Sequence, residues 1–467
     1  MRNRNRIHHR GEVQRFKRAM LQAPGWSLRD LLPGDVLHRL IEQASCVRNT
    51  VYTPLVTLGL FIRQVLSDDA SCKNIIASFL IARLCAEEDS ISVNTGPYCK
   101  ARYRLPLGPL HELVCKSGEA TDRHKTSDSL WRGLRVIMVD GTTALLQDTP
   151  ENQERYPQSD HQKPGIGFPI IRMVALISLS KATVLDYAIN AYQGKGTGES
   201  SLFARLLGGM RSGDLLLGDR YYASYGILAA LIGRGVAAVM RQHALRKTDF
   251  RTGKKLGPRD HIISWDKPKI KPVWMTDDEF NALPDKLELR EFRVDGVVYV
   301  TTLLNRKKYP KSGFAALYKM RWHIELDFRC IKTIMGMEML RCLTPDMIEK
   351  EIAVNLLAYN IIRAQIGVAA QIHNKIPRQL SFKAGIQLFL NAVLQWGSVT
   401  NKRLKVLMEN LLSVIASTPV GIIKKKPQPR VVKRRPKAYP LMMKPREILC
   451  RELENDFSKH MKIQGFA

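Results

Sequence analysis

The chain has 467 residues, 45% of them hydrophobic and 25% charged, and carries a formal net charge of +30 from 73 Lys and Arg against 43 Asp and Glu. That length exceeds what one hydrophobic core usually serves, so roughly two to four domains are expected. So basic a balance does not suit an enzyme of small metabolites and points to a polyanionic partner, of which nucleic acid is the commonest. No uninterrupted apolar run approaches about 18 residues, and no apolar segment follows the basic start MRNRNRIHHR, so a cytoplasmic protein is expected. The eight Cys lie scattered without a C-x2-C pair, and the eleven His form no H-x3-H pair beside Cys. Reduced thiols are therefore expected, and any functional metal falls to carboxylates.

In chain order, residues 1–130 read as a helical N-terminal unit, from the periodicity of LRDLLPGDVLHRLIEQA, YTPLVTLGLFIRQVL and NIIASFLIARLCAEE, with DDASC as an N-cap signal. Its last part, SVNTGPYCKARYRLP, sets Lys100, Arg102 and Arg104 beside Tyr98 and Tyr103, which suits either DNA phosphates or a solvated helix face. The period then shortens. LRVIMVDGTTALL, IIRMVALISLS and ATVLDYAIN read as strands, ESSLFARLLGGM as a helix, DLLLGDR as a short buried strand, and ASYGILAALIGRG as a helix ending near Gly233 or Gly235. Three strands, a helix, a strand and a helix over 131–235 are the order of an RNase H-like α/β core. Residues 236–309 read as a β-rich insertion, with a hairpin at VDGVVYV. A helix of the core follows at 310–345, a helical C-terminal region at 346–422, and a basic tail at 423–467 whose KKKPQPRVVKRRPKAYP is expected to be an arm that binds nucleic acid.

Asp140 closes the apolar run VIMV and precedes Gly141, and Asp219 closes LLLG in the same manner. α/β sheets present functional groups at such strand ends, although a lone Asp there is also a common turn or cap residue. The segment YKMRWHIELDFRCIKTI holds Tyr318, Arg321, Glu325 and Lys332 in the spacing Y-x2-R-x3-E-x6-K. At about 100° per residue these form one stripe beside the apolar face of Leu317, Met320, Ile324, Phe328, Ile331 and Met335. Metal-dependent phosphodiester chemistry needs two or three acids converging from rigid elements, and Asp140, Asp219 and Glu325 supply that number.

Together these motifs resemble the DDE transposases of the bacterial insertion sequence 4 family, in order and texture over most of the chain. The resemblance implies that Asp140, Asp219 and Glu325 are catalytic and bind two Mg²⁺ or Mn²⁺ ions, and that Tyr318, Arg321 and Lys332 bind the DNA. It implies cut-and-paste transposition on double-stranded DNA, meaning terminal inverted repeats and target, by a homodimer in a synaptic complex, in a bacterial cytoplasm and bound to the nucleoid. Trp322 is expected to pack inward, while Tyr299, Trp265 and Trp274 are candidates for holding an extruded base. The rival expectations are a nuclease of the same fold without strand transfer, and a non-enzymatic DNA binder.

Overall fold

The structure is a computed structural model that describes residues 31–44, 51–85, 87–123, 129–395, 401–421 and 442–463. The basic start and all of KKKPQPRVVKRRPKAYP lie outside the described residues. Among the described residues the first helices are α1 (Gly34–Gln43), α2 (Pro54–Leu66), α3 (Cys72–Cys85), α4 (Gly96–Arg104) and α5 (Leu107–Arg123). Local chemistry starts two of them. The Thr53 side chain accepts from the Val56 amide ahead of Pro54, and the Ser71 hydroxyl accepts from the Asn74 amide at 3.1 Å within the DDASC signal.

The next segments build the core: β1 (Arg135–Leu145), α6 (Pro150–Arg155), β2 (Ile170–Ser178), β3 (Val184–Ala191), α7 (Glu199–Leu206), β4 (Asp214–Gly218), α8 (Tyr225–Gly233) and β5 (Ala237–Arg241). β1, β2 and β3 run antiparallel in sequence, while β4 and β5 lie parallel to β1, giving the strand order 3-2-1-4-5 of an RNase H-like fold. Ala237–Arg241 thus corrects the expected start of the insertion at 236. Its pairing with β4 makes it the fifth core strand, because a buried apolar run reads alike in either role.

Beyond Arg241 the chain adds β6 (Lys254–Gly257), β7 (Asp260–Asp266), α9 (Asp277–Asn281), β8 (Lys286–Val294) and β9 (Val297–Thr301). These strands extend the same sheet to nine, β9 pairing antiparallel with β5. The hairpin at VDGVVYV forms as its Asp-Gly pair requires: Asp295 and Gly296 take φ of 50° and 79°, the left-handed pair of a tight two-residue turn. A bidentate Arg290–Asp260 pair at 2.8 and 2.7 Å is fully buried inside this extension.

The rest is helical: α10 (Lys311–Lys319), α11 (His323–Arg329), α12 (Pro345–Ile372), α13 (Phe382–Gln395), α14 (Asn401–Ala416) and α15 (Arg446–Ile463), the last within the expected tail. α12 is long and apolar enough to cross a membrane by composition, yet its apolar window is wholly buried. It serves as the core helix on one face of the sheet, packed by α2, α5, α13 and α14, while α7 and α8 cover the other face. Asn360 on α12 bonds both the amide and the carbonyl of Val184 in β3, at 2.8 and 2.9 Å, and so locks helix to sheet.

α11 is fastened to this core by Asp327, which is fully buried. Its carboxylate accepts from both terminal nitrogens of Arg378 at 3.0 and 2.9 Å, from Arg363 at 3.3 Å and from the Tyr359 hydroxyl at 3.2 Å. Replacing Asp327 with Ala leaves two buried guanidinium groups without their carboxylate and is expected to cost about 3–5 kcal/mol of stability. Chemical denaturation of Asp327→Ala measures this, and a loss below about 1 kcal/mol would reduce the cluster to the worth of surface pairs.

Candidate active site

Asp140 lies inside β1 rather than at its end. The parallel pairing with β4 stops at Met138–Leu217, while the antiparallel pairing with β2 runs on through Asp140–Ala175 to Leu145. Asp140 therefore sits where β1 loses its β4 neighbour, and its Oδ1 accepts from the Gly141 amide at 2.9 Å. Asp219 follows β4 directly in extended conformation, caps the short 3-10 turn Arg220–Tyr222, and accepts from the Arg220 amide at 2.6 Å. Asp219 thus takes the local capping role open to any Asp after a strand, while Asp140 bonds the next amide within β1, and both lie where the β1–β4 pairing ends.

The stretch carrying Glu325 is not one α-helix. α10 gives way to a 3-10 turn at Met320–Trp322, α11 follows, and a π-helical segment closes it at Cys330–Ile334. Tighter and wider winding shifts the faces relative to a uniform helix, and π segments recur at functional sites. Arg321 ends up between two acids: one terminal nitrogen donates to Asp140 Oδ2 at 3.3 Å and the other to Glu325 Oε1 at 3.1 Å. Two acids remote in sequence therefore share one cation. After the π segment, the Leu145 amide donates to Glu338 and the Leu340 amide to Leu145, which ties the chain back to β1.

Other stripe positions depart from expectation. Tyr318 is only 8% exposed, and its hydroxyl donates inward to the Gly218 carbonyl at 3.3 Å, bracing the residue before Asp219. Trp322, expected to pack, is 60% exposed, and Met320 is also partly exposed, because the 3-10 turn swings both off the buried side. Lys332 is half-buried in the π segment, and its ammonium makes no ion pair among the described residues. Among the base-holding candidates, Trp265 is buried beneath Arg246 and donates to Glu291, while Tyr299 lies edge-on to Tyr318 at 5.0 Å between centroids. Trp274 is half-buried against Gly226. In the N-terminal unit Arg102 is structural, stacked on Phe61 and Tyr98, whereas Lys100, Tyr103 and Arg104 stay exposed.

Burial pushes the Asp140 carboxyl up to about 6; the Gly141 amide and Arg321 oppose the shift, and the charges of Glu199 and Asp219 add to it. Burial works against the Arg321 charge, but Tyr318, Asp140, Asp219 and Glu325 together hold its pKa above the ordinary value. The oxygen-only donor set of Asp140, Asp219 and Glu325 fits Mg²⁺ or Mn²⁺, and the shared Arg321 shows that the space between Asp140 and Glu325 accommodates positive charge. Among the described residues, the one trio of ligand types within 4.8 Å of each other is His111, Cys115 and Asp186. Its contacts read as hydrogen bonds: Cys115 donates to Asp186 at 3.3 Å, and the two His111 nitrogens face different partners.

Asp327, which fastens the Glu325 helix, went unmarked in the sequence although a signal was present: an acid on the apolar face between Ile324, Phe328 and Ile331. The family model of the transposase DDE domain matches residues 131–361. The transposase InsG for insertion sequence element IS4 of Escherichia coli strain K12 is 27% identical over 348 residues, covering 73% of this chain and 77% of that one. Among solved structures, a chain of the piggyBac transposase synaptic complex with hairpin DNA superposes over 88% of this chain and 86% of its own. Its TM-score is 0.46 at 10% identity, too distant to carry an argument.

The raised Asp140 carboxyl has a stability consequence. Between about pH 4 and pH 6 the folded chain binds more protons at this group than the unfolded chain, so stability falls as pH rises through that window and the deficit is complete at neutral pH. Asp140→Asn is therefore expected to stabilise the fold by on the order of 2–3 kcal/mol at pH 7, and by almost nothing near pH 4. Denaturation in chelator-containing buffer at both pH values checks this, and an equal effect at the two would contradict it.

Proposed function

The chain is a DDE transposase of the insertion sequence 4 type, a DNA-cleaving enzyme, and from this premise we propose that Asp140, Asp219 and Glu325 hold two Mg²⁺ or Mn²⁺ ions in a cut-and-paste reaction. The observation that carries this reading is the Arg321 guanidinium shared by Asp140 and Glu325 at 3.3 and 3.1 Å, with Asp219 close enough to act on both Asp140 and Arg321. Acids from β1, from the end of β4 and from α11 would then serve one site where the β1–β4 pairing ends.

Ions bound there would activate a water or a 3′-hydroxyl and stabilise the leaving oxygen. The chain's own side chains supply the remainder. Arg321, once its carboxylates bind elsewhere, offers a planar fork to phosphate oxygens, and Lys332 offers a point charge. The exposed Trp322 offers a ring face to DNA. Tyr318 acts one step back, its hydroxyl on the Gly218 carbonyl keeping Asp219 at the edge of β4. The net charge of +30 suits terminal inverted repeats and target DNA alike. Joining two element ends to one target calls for a homodimer in a synaptic complex, and the substrate places the enzyme in the bacterial cytoplasm on the nucleoid.

An assay with paired terminal inverted repeats, a target plasmid and Mg²⁺ or Mn²⁺ tests the proposal. Joined products are expected from the wild type, and cleavage at background from Asp140→Ala, Asp219→Ala and Glu325→Ala, with gel-shift binding of the ends retained. Undiminished cleavage in any one variant would remove that residue from the site, and cleavage without joining would make the enzyme a nuclease.

A further inference from the structure

Glu199 is the first residue of α7, on the face of the sheet opposite α11. Ile137 and Val139 of β1 point to this face, and by strand alternation so does position 141. Position 141 is glycine, and the Glu199 carboxylate fills the space its missing side chain leaves: a Cβ there would lie 2.4 Å from Oε1 and 2.5 Å from Cδ. The backbone of Gly141 needs no left-handed conformation, so what the glycine provides here is room for that carboxylate.

A second observation concerns Tyr222, in the 3-10 turn capped by Asp219. Its side chain is fully buried, and its hydroxyl, short of an ideal hydrogen bond, faces the Glu199 carboxylate. Burial raises its pKa well above the ordinary value, and the carboxylates of Glu199, Asp140 and Asp219 follow as the charges that act on it. A buried donor costs about 1–3 kcal/mol when unsatisfied, so the Tyr222 hydroxyl favours keeping the Glu199 carboxylate where it lies, over Gly141.

We propose that Glu199 is a fourth carboxylate of the ion site, helping to hold the divalent ion between Asp140 and Asp219 from the face of the sheet opposite Glu325. This rests on the reading of Asp140, Asp219 and Glu325 as the ion site. The ordinary role of an acid in the first helical turn, favouring the helix dipole, does not require the carboxylate to fold over Gly141.

Titration of the full-length protein with Mn²⁺ in the absence of DNA, followed by calorimetry, tests the inference without recourse to activity. Glu199→Gln is expected to weaken ion binding by about tenfold or more, with no loss of thermal stability in chelator. Gly141→Ala keeps every acid but places a methyl group where the Glu199 carboxylate lies, so it should weaken binding in the same way. Glu199→Asp, which retains the charge on a shorter stem, should fall between wild type and Glu199→Gln. Wild-type affinity in Glu199→Gln, alongside weakened binding in Asp219→Asn, overturns the role of Glu199 alone. Wild-type affinity in Asp140→Asn and Asp219→Asn as well overturns the ion site itself. Should Glu199→Gln fail to fold, Gly141→Ala decides: weakened binding supports the role and wild-type binding overturns it.

Discussion

Carboxylates gathered in a partly buried cleft where the β1–β4 pairing ends repel each other and lose hydration, and the fold has to hold them there. Arg321 makes this tolerable, since its two terminal nitrogens serve Asp140 and Glu325 at once. Even so the compensation is incomplete: burial and the charges of Glu199 and Asp219 still push the Asp140 carboxyl up to about 6. The arrangement is thus locally unfavourable in stability while suited to cations, the trade expected if it serves as a catalytic centre.

That cost is carried by rigid surroundings. α11 is held by Asp327, whose carboxylate collects Arg363, Arg378 and Tyr359, and the chain beyond the π segment is bonded back to Leu145 of β1. Behind the sheet, Arg135 binds Asp214 through two 2.7 Å bonds and also reaches Glu119 and Asp122, which fixes β1 against β4 and α5. Asp140 and Asp219 sit only a few residues beyond this pair on the same two strands. Fixing β1 against β4 therefore fixes the two acids against each other, as a preorganised site needs.

The inserted strands change the sheet more than the site. By pairing β9 with β5 they continue the core sheet instead of forming a separate layer, which covers the edge that β5 would otherwise expose. Tyr299 of β9 then packs against Tyr318, and Tyr318 in turn against the carbonyl beside Asp219, so the insertion supports one of the acids through two contacts.

Much of this was legible in the chain. The net charge pointed to a polyanion, the order of short apolar runs to an RNase H-like core, and the Asp-Gly pair to a hairpin whose residues do take left-handed conformations. Asp140, Asp219 and Glu325 stood out because each carries a local signature, an acid after an apolar run or a charged stripe on a helix. Periodicity and turn chemistry are properties of a few neighbouring residues, so they survive without the fold. The assignment of β5 to the core, the inward turn of Tyr318, the exposure of Trp322, the division of Arg321 between two acids, the anchoring by Asp327 and the placement of Glu199 over Gly141 did not show. Each depends on which distant segment arrives beside a residue and at what winding of the helix, and through-space charge and packing become defined only when the chain has closed on itself.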